Sequence, residues 1–490
     1  TSVSEPNDAD GGIPAEDFSR RQAWYDLIIA VDPTDEETAL IGVVDLFKTT
    51  DAGTNWTQIA HCYGVFGFPY VHADQHAIVY RPTANNNSQV LFGNDGGLFY
   101  STDIDNSNPT FEHKVKNFNT TQFYAAAIHP DTAKAYFLAG SQDNGAQLFQ
   151  EYKSTETDRP TGGDGAFCHI DQDDPSIQIT AYVYNRYYIS RNEGGNFSQL
   201  HWDNSTNGWF INPTDYDDNQ DALYCSYSED GILRLSNLTF SKSDDVLAHD
   251  LGSKATALKV SPFSTSSSTV FIGTVAGRIF KMENAEGASY STSELTPLNF
   301  PKGAISSMEF GRNENEILVT FFNYGVPSIW FSPDGGDTWT AKEGDLMDMP
   351  VRWVLMNPTD ENNVIIATEV GIWSTYNFGD TYPNWSSSSN GMANVRVDML
   401  KMRQSDYTIL AATHGRGLFA SQGFTYSPPQ VSNQPSSINI CVGKNTSMQV
   451  KAVGAEPISY QWFHNNTMID GAEKKKLSFS NITVSDSGAY

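Results

Sequence analysis

The chain is predicted to be all-β, a series of small antiparallel sheets followed by a short β-sandwich. Three observations carry this. The word Ser-x-Asp-x-Gly-x-Thr-Trp stands at 332–339 and returns in weaker forms, an apolar strand–turn–strand pattern repeats along most of the chain, and the composition suits pleated structure. Aromatic residues make up 12% of the 490 and charged residues 18%, which favours sheets over helices.

The spacing of the word has a physical reason. Ser332 ends a strand, Asp334 can accept the backbone N–H groups of the turn, and Gly336 can take the positive φ such a turn needs. Thr338 then restarts a strand, and Trp339 folds back as an apolar plug. A second copy holds Asp51, Gly53 and Trp56, and a worn copy runs from Ser190 to Phe197. Ser101 to Phe111 and Ser374 to Tyr382 read as versions with insertions. Such words lock hairpins. They announce an architecture and no chemistry.

The longer repeat is an apolar strand, a turn rich in Pro, Asp or Asn, a second apolar strand ending near glycine, and an aromatic hairpin. The first copy runs through Asp26 to Pro33, Ala39 to Val44 and Leu46 to Lys48, and the next through His76 to Tyr80, Val90 to Gly93 and Gly97 to Phe99. Later second strands end at Gly140, Tyr182, Cys225, Gly273, Thr320, Ala367 and Ala412. Nine copies about 46 residues apart are the pattern of β-propeller blades, whereas a sandwich would repeat less regularly and a β-helix at a shorter period. Two arrangements follow: one ring of about 8–10 blades, or a seven-bladed ring formed by the last seven copies beside part of another. Because an isolated pair of blades exposes strand edges, one ring is the expectation.

A composition shift at Ser427-Pro428-Pro429 divides the chain into a propeller at 1–425, a linker at 426–430 and an incomplete immunoglobulin-like domain at 431–490. Trp462 takes the place of the core tryptophan of strand C, and Tyr490 that of the tyrosine corner. Val450 stands where the first cysteine of antibody-type domains falls, so their inter-sheet disulfide is not expected. Cys62, Cys168, Cys225 and Cys441 are too few for a disulfide scaffold, and their pairing is not assignable from sequence.

A net charge of −28 argues against nucleic acid or an anionic membrane surface as partner, and permits calcium. No stretch nears the 18 or so apolar residues of a membrane span. The polar beginning and abrupt end read as a mature or trimmed portion of a longer secreted protein.

With the 332–339 word identified as an Asp-box, or BNR repeat, four further words point to a family: Tyr70 to Ala77, Gly93 to Gly97, Gly140 to Gly145 and Ala412 to Phe419. Together they resemble the sortilin and xyloglucanase-like Asp-box propellers, especially large secreted proteins of Bacteroidetes with immunoglobulin-like modules. The resemblance covers roughly residues 22–490. It implies a secreted or cell-surface protein whose propeller presents a binding surface for glycan or protein ligands, carried by a bacterial secretion or surface-assembly system. Family members range from endo-acting glycoside hydrolases to receptors without catalysis, so an enzyme, if there is one, would be a glycoside hydrolase.

The hydrolase alternative needs an acid and a base across a cleft. Asn94 to Gly97 resembles the family's Asp-Ile-Gly-Gly turn, which marks Asp95, and Gly163 to Phe167 resembles the other, which marks Asp164. The family's acids come from two propellers, whereas these lie in nearby blades. The bland alternative is that both aspartates cap glycine turns. Sialidases also carry Asp-boxes, but the Arg-Ile-Pro signature of their substrate clamp is missing.

Three more stretches carry candidates. His72, Asp74 and His76 alternate, so in one strand they would face one way, either beside a metal or in a hydrogen-bond network with Gln142 and Asp143 that ties blades together. Asp215, Asp217, Asn219 and Asp221 alternate like the start of a calcium loop, without its glycine and twelfth-position glutamate. Arg416, beside Gly415 and Gly417, is expected to pair with a carboxylate near ring closure. Phe66, Phe68 and Tyr70 are candidates for stacking on sugar faces, or else blade core.

Overall fold

A computed structural model describes residues 4–81, 88–154, 156–239, 241–424, 430–453 and 459–490. Nine antiparallel sheets follow one another in order, each a meander in which neighbours in sequence are neighbours in space. They are numbered 1 to 9. Sheet 1 is Ile28–Asp32, Asp35–Gly42, Leu46–Thr49 and Thr57–Ala60; sheet 2 is Gln75–Arg81, Gln89–Asn94, Gly97–Ser101 and Glu112–His113. Sheets 3 to 8 begin at Phe123, Cys168, Thr214, Ala255, Ile305 and Val351, each with four strands. Sheet 9 has three: Val397–Met402, Thr408–Thr413 and Leu418–Gln422. The nine sheets coincide with the nine copies of the sequence repeat.

The second strand is buried along its whole length in sheets 3, 4, 6, 7 and 9, as in Ile317–Phe321, Thr269–Thr274 and Thr408–Thr413, and over most of it in sheets 5 and 8. A strand covered on both faces needs neighbours on both sides, so the sheets must pack face to face. They do so in sequence from sheet 3 to sheet 9. Leu223 and Leu235 of sheet 5 share a core with Ile179 and Tyr187 of sheet 4, and the inner strands of sheets 5 to 9 pack each on the next. Sheet 9 then packs on sheet 3, where Met399, Leu410 and Ala412 join Phe123, Ala125 and Phe137 in one cluster.

Charges converge as well. His169 of sheet 4 is pushed down to about 4, first by burial and then by Lys401 of sheet 9 and Lys259 of sheet 6, with Asp215 opposing. Groups so far apart in sequence act on one another because the inner strands approach a common centre.

Sheets 1 and 2 stand apart from this circuit. They share one core, with Leu40, Leu46, Phe92 and Phe99, and no described cluster joins it to sheet 3. The junction between sheets 2 and 3 is polar. Contacts therefore run in series through sheets 3 to 9, with sheets 1 and 2 beside them.

Five hairpins close with one hydrogen-bond scheme. Ser332 Oγ donates to Asp334 Oδ1 at 2.9 Å and accepts from Gly336 N at 2.8 Å, while Asp334 Oδ1 accepts from Thr338 N at 2.8 Å. Gly336 has a φ of +102°, and Trp339 packs on Phe300 in the core. Thr49 with Asp51 and Gly53, and Ser190 with Asn192 and Gly194, repeat the scheme. Trp56 packs on Ile41, Val43 and Phe47. Asp103 and Asn377 bridge wider turns, to Thr110 N and Asn384 N. In the last hairpin the hydroxyl comes from Thr375, one residue later than expected.

The expected linker lies outside the described residues except for Gln430, which opens the strand Gln430–Asn433. Beyond it are three two-stranded ladders, pairing Gln430–Asn433 with Lys451–Val453, Thr446–Gln449 with Lys476–Phe479, and Phe463–His464 with Thr467–Met468. Trp462 is buried and donates its indole N–H to Lys474 O at 2.8 Å, and Tyr490 OH donates to Asp486 O at 3.0 Å. All four cysteines are free, three buried and Cys441 exposed. Among the described residues no helix is long and apolar enough to cross a membrane.

Candidate functional site

The polar junction between sheets 2 and 3 gathers residues from four separate segments. Asp95, in the Asn94-to-Gly97 turn of sheet 2, accepts from Tyr25 OH at 2.8 Å and meets His76 Nε2 at 2.6 Å. Asp74 precedes the first strand of sheet 2 and accepts from Gln22 Nε2 at 3.1 Å. Asp143 lies in the tight turn of sheet 3, where Gln142 donates to its Oδ1 at 2.8 Å. Carboxylate oxygens of Asp74, Asp95 and Asp143 all lie within 4.8 Å of one another.

Asp164 joins from the loop after sheet 3. Its Oδ1 accepts from Asp143 N at 3.1 Å and Gln142 Nε2 at 2.5 Å. The structure thus brings Asp95 and Asp164 to one neighbour, Asp143. Asp95 directs its carboxylate to Tyr25 and His76 rather than to its own glycine turn, where the Gly96 amide is held by Asn94. Burial raises the pKa of Asp74, Asp95 and Asp164 alike, and the Asp143 carboxylate pushes each the same way. Hydrogen bonds from Tyr25 and His76 oppose the shift at Asp95. So many carboxyls in one place resist full ionisation.

Aromatic side chains stand beside this cluster. Trp24 is 84% exposed and its ring lies 5.7 Å from that of Tyr25, which packs edge-on against His76 at 4.9 Å. Near Asp164, Tyr182 stacks on Trp202 with centroids 6.0 Å apart, and Arg186 lies over both rings. Of the three loop aromatics expected to bind sugars, Phe66 is exposed, Phe68 is half-buried, and Tyr70 is exposed while packed on Phe99. Sequence reading passed over Trp24 and Tyr25 because no periodicity marks them. Two adjacent aromatics in a polar stretch before the first strand were the available signal.

The His72–His76 stretch differs from expectation. The strand begins only at Gln75, and Asp74 has a φ of +63°, which breaks the alternation that would align the three side chains. His72 is buried and its Nε2 meets Asp143 O at 3.2 Å, whereas His76 is exposed and faces Asp95. His72, with Asn144 Nδ2 donating to Asp95 O at 3.1 Å, ties sheet 2 to sheet 3.

The candidate calcium stretch spends its oxygens inside the protein. Asp215 Oδ2 accepts from Val260 N at 2.8 Å, and Asp217 accepts from Asn219 N, Gln220 N and Ser268 Oγ. Asp221 accepts from Tyr216 OH at 3.2 Å. Asp215, Asp217 and Asp221 are absent from the described groups whose ligand atoms converge within 4.8 Å. Arg416 donates to its own neighbour, Gly415 O, at 2.8 Å rather than to a carboxylate, and the Asp398 carboxylate is held by Arg396, Arg352 and His414.

No family model matches the chain, and no curated protein matches it.

Proposed function

We propose that the chain is part of a secreted or cell-surface Asp-box propeller protein that binds a glycan across the junction between sheets 2 and 3. One observation carries this reading: Trp24 stands 84% exposed next to Tyr25, whose hydroxyl is fixed 2.8 Å from Asp95. A flat apolar face beside oriented carboxylate acceptors is what a sugar ring, with its C–H face and ring of hydroxyls, requires. The repeated hairpin scheme supports membership of the sortilin and xyloglucanase-like propellers; carriage by a bacterial secretion system is part of the same proposal. Affinity electrophoresis against a panel of soluble polysaccharides tests it. Retardation by one glycan class, lost in Trp24→Ala, supports the reading; equal mobility of both proteins in every gel sinks it and leaves a protein ligand.

The meeting of Asp95 and Asp164 on Asp143 favours a second reading, an endo-acting glycoside hydrolase. In it one carboxyl protonates the leaving oxygen while the other acts as base or nucleophile. Release of reducing ends from a β-glucan, abolished in both Asp95→Asn and Asp164→Asn, is its test. Retention of activity in either variant removes that residue from catalysis.

A further inference from the structure

We propose that Asp74, Asp95 and Asp143, with Asp26 behind them, form a site for one divalent cation of the calcium class. The three carboxylates offer oxygens within 4.8 Å of one another. Oxygens that share a calcium ion at its usual bond length lie at most about 5 Å apart, so the spacing fits a single ion. All the ligand atoms are hard oxygens, which favours calcium over zinc or copper.

A second, independent observation points the same way. Asp26 is only 1% exposed, and among the described residues its Oδ1 meets no N–H or hydroxyl donor, its carboxyl lying against that of Asp74. Gln22 Nε2 reaches both Asp26 Oδ2, at 3.4 Å, and Asp74 Oδ1, at 3.1 Å, so one amide holds the two carboxyls side by side. A buried carboxylate oxygen without a donor is costly unless a cation or proton completes it.

The protein solves a similar problem differently elsewhere. Asp8, Asp10 and Asp45 also converge, but Arg20 reaches all three at 2.7–2.9 Å. Among the described residues no lysine or arginine lies within 4 Å of the carboxylates of Asp26, Asp74, Asp95 or Asp143, and the one ion-pair partner is His76, on Asp95. The first cluster has its cation built in. The second leaves that place to an ion.

The inference shares Asp95 with the glycan reading but its test needs no glycan, and it takes Asp95 out of the acid–base role in the hydrolase reading. The experiment is a calcium titration of the whole chain, stripped with chelator and held at 150 mM salt, followed by calorimetry and by thermal unfolding. A saturable calcium-dependent rise in Tm is expected. Asp74→Asn and Asp143→Asn should each weaken the apparent Kd at least tenfold, while Asp215→Asn and Trp24→Ala keep the wild-type value. Both cluster variants remove like-charge repulsion, so they should fold without calcium at least as well as the parent. Absence of a saturable response up to 10 mM calcium overturns the site and leaves shared protons as the means of relief. A response unchanged in Asp74→Asn and Asp143→Asn overturns it too, since calcium then binds elsewhere on this acidic chain.

Discussion

Arg403 Nη1 lies 3.0 Å from the carbonyl oxygen of Asp131, 272 residues earlier in the chain. The same nitrogen also donates to the carbonyls of His129 and Lys134, while Nε and Nη2 hold Asp406. Arg403 is 1% exposed, among the largest side chains so deeply buried. One side chain therefore joins the loop of sheet 9 to the loop of sheet 3 through backbone acceptors that no other described side chain is seen to serve.

Replacing Arg403 with Ala should accordingly destabilise the circuit of sheets 3 to 9. It removes the guanidinium from three carbonyls and from Asp406; Asp131 O keeps Lys134 N and Asp406 keeps Thr408 N, but the His129 and Lys134 oxygens lose their donor, a loss of about 3 kcal/mol. Urea unfolding followed by tryptophan fluorescence measures it. A midpoint equal to that of the parent would show that sheets 3 and 9 do not depend on this contact. Arg416→Ala, whose guanidinium reaches only the neighbouring Gly415 O among the described residues, should change the midpoint little.

The hairpin word makes a second, local prediction. Asp334→Ala removes the acceptor for Thr338 N and the partner of Ser332 and Thr338 hydroxyls, at a cost of about 1 kcal/mol. Asp337, three residues on, is exposed and makes no hydrogen bond or ion pair among the described residues, so Asp337→Ala should fall within about 0.5 kcal/mol of the parent. If the two variants unfold at the same denaturant concentration, the aspartate does not lock the turn.

These hairpins show what the sequence could reveal. A turn is specified by residues within eight positions of one another, and the burial of a second strand by its own run of apolar residues, so nine units were legible with strand ends mostly within a residue. Sites made across units were not. Asp95 and Asp164 were named separately, yet the residue that links them, Asp143, was seen only as a hydrogen-bonding neighbour. His72, Asp74 and His76 were placed in one strand because alternation in sequence hides a positive φ at Asp74. Which sheet covers sheet 3 was equally hidden, since any of nine similar apolar faces has the pattern to do so. Its answer depends on how far each sheet turns from the last, and no short word records that angle.

The cysteines predict a chemical readout. Cys62, Cys168 and Cys225 are buried, and burial raises each thiol, Cys62 and Cys225 to about 12 and Cys168 beyond that. A thiolate is the reactive form, so these three should stay silent to a thiol reagent at pH 8. Cys441 is exposed and unpaired. One equivalent of thiol should react in the native chain and four in denaturant, and a reducing agent should leave Tm unchanged. Fewer than four in denaturant without reductant would reveal a disulfide.

Stability should also carry a signature of Glu343. Burial pushes its carboxyl up to about 7, against the opposing N–H groups of Ser328 and Ile329 and with a further push from Asp348. A carboxyl whose pKa is higher folded than unfolded keeps its proton longer in the folded state. Its contribution is then complete below the unfolded value of 4.5 and is lost as the pH rises through about 7. Between pH 5 and pH 8 the parent should lose about 1 kcal/mol or more relative to Glu343→Gln, a few degrees in Tm. Glutamine keeps an oxygen for the Ser328 amide and has no proton to lose, so the difference between the two curves isolates this group from the many other carboxyls. Parallel Tm–pH curves would mean that Glu343 titrates no differently in the folded chain than in the unfolded one.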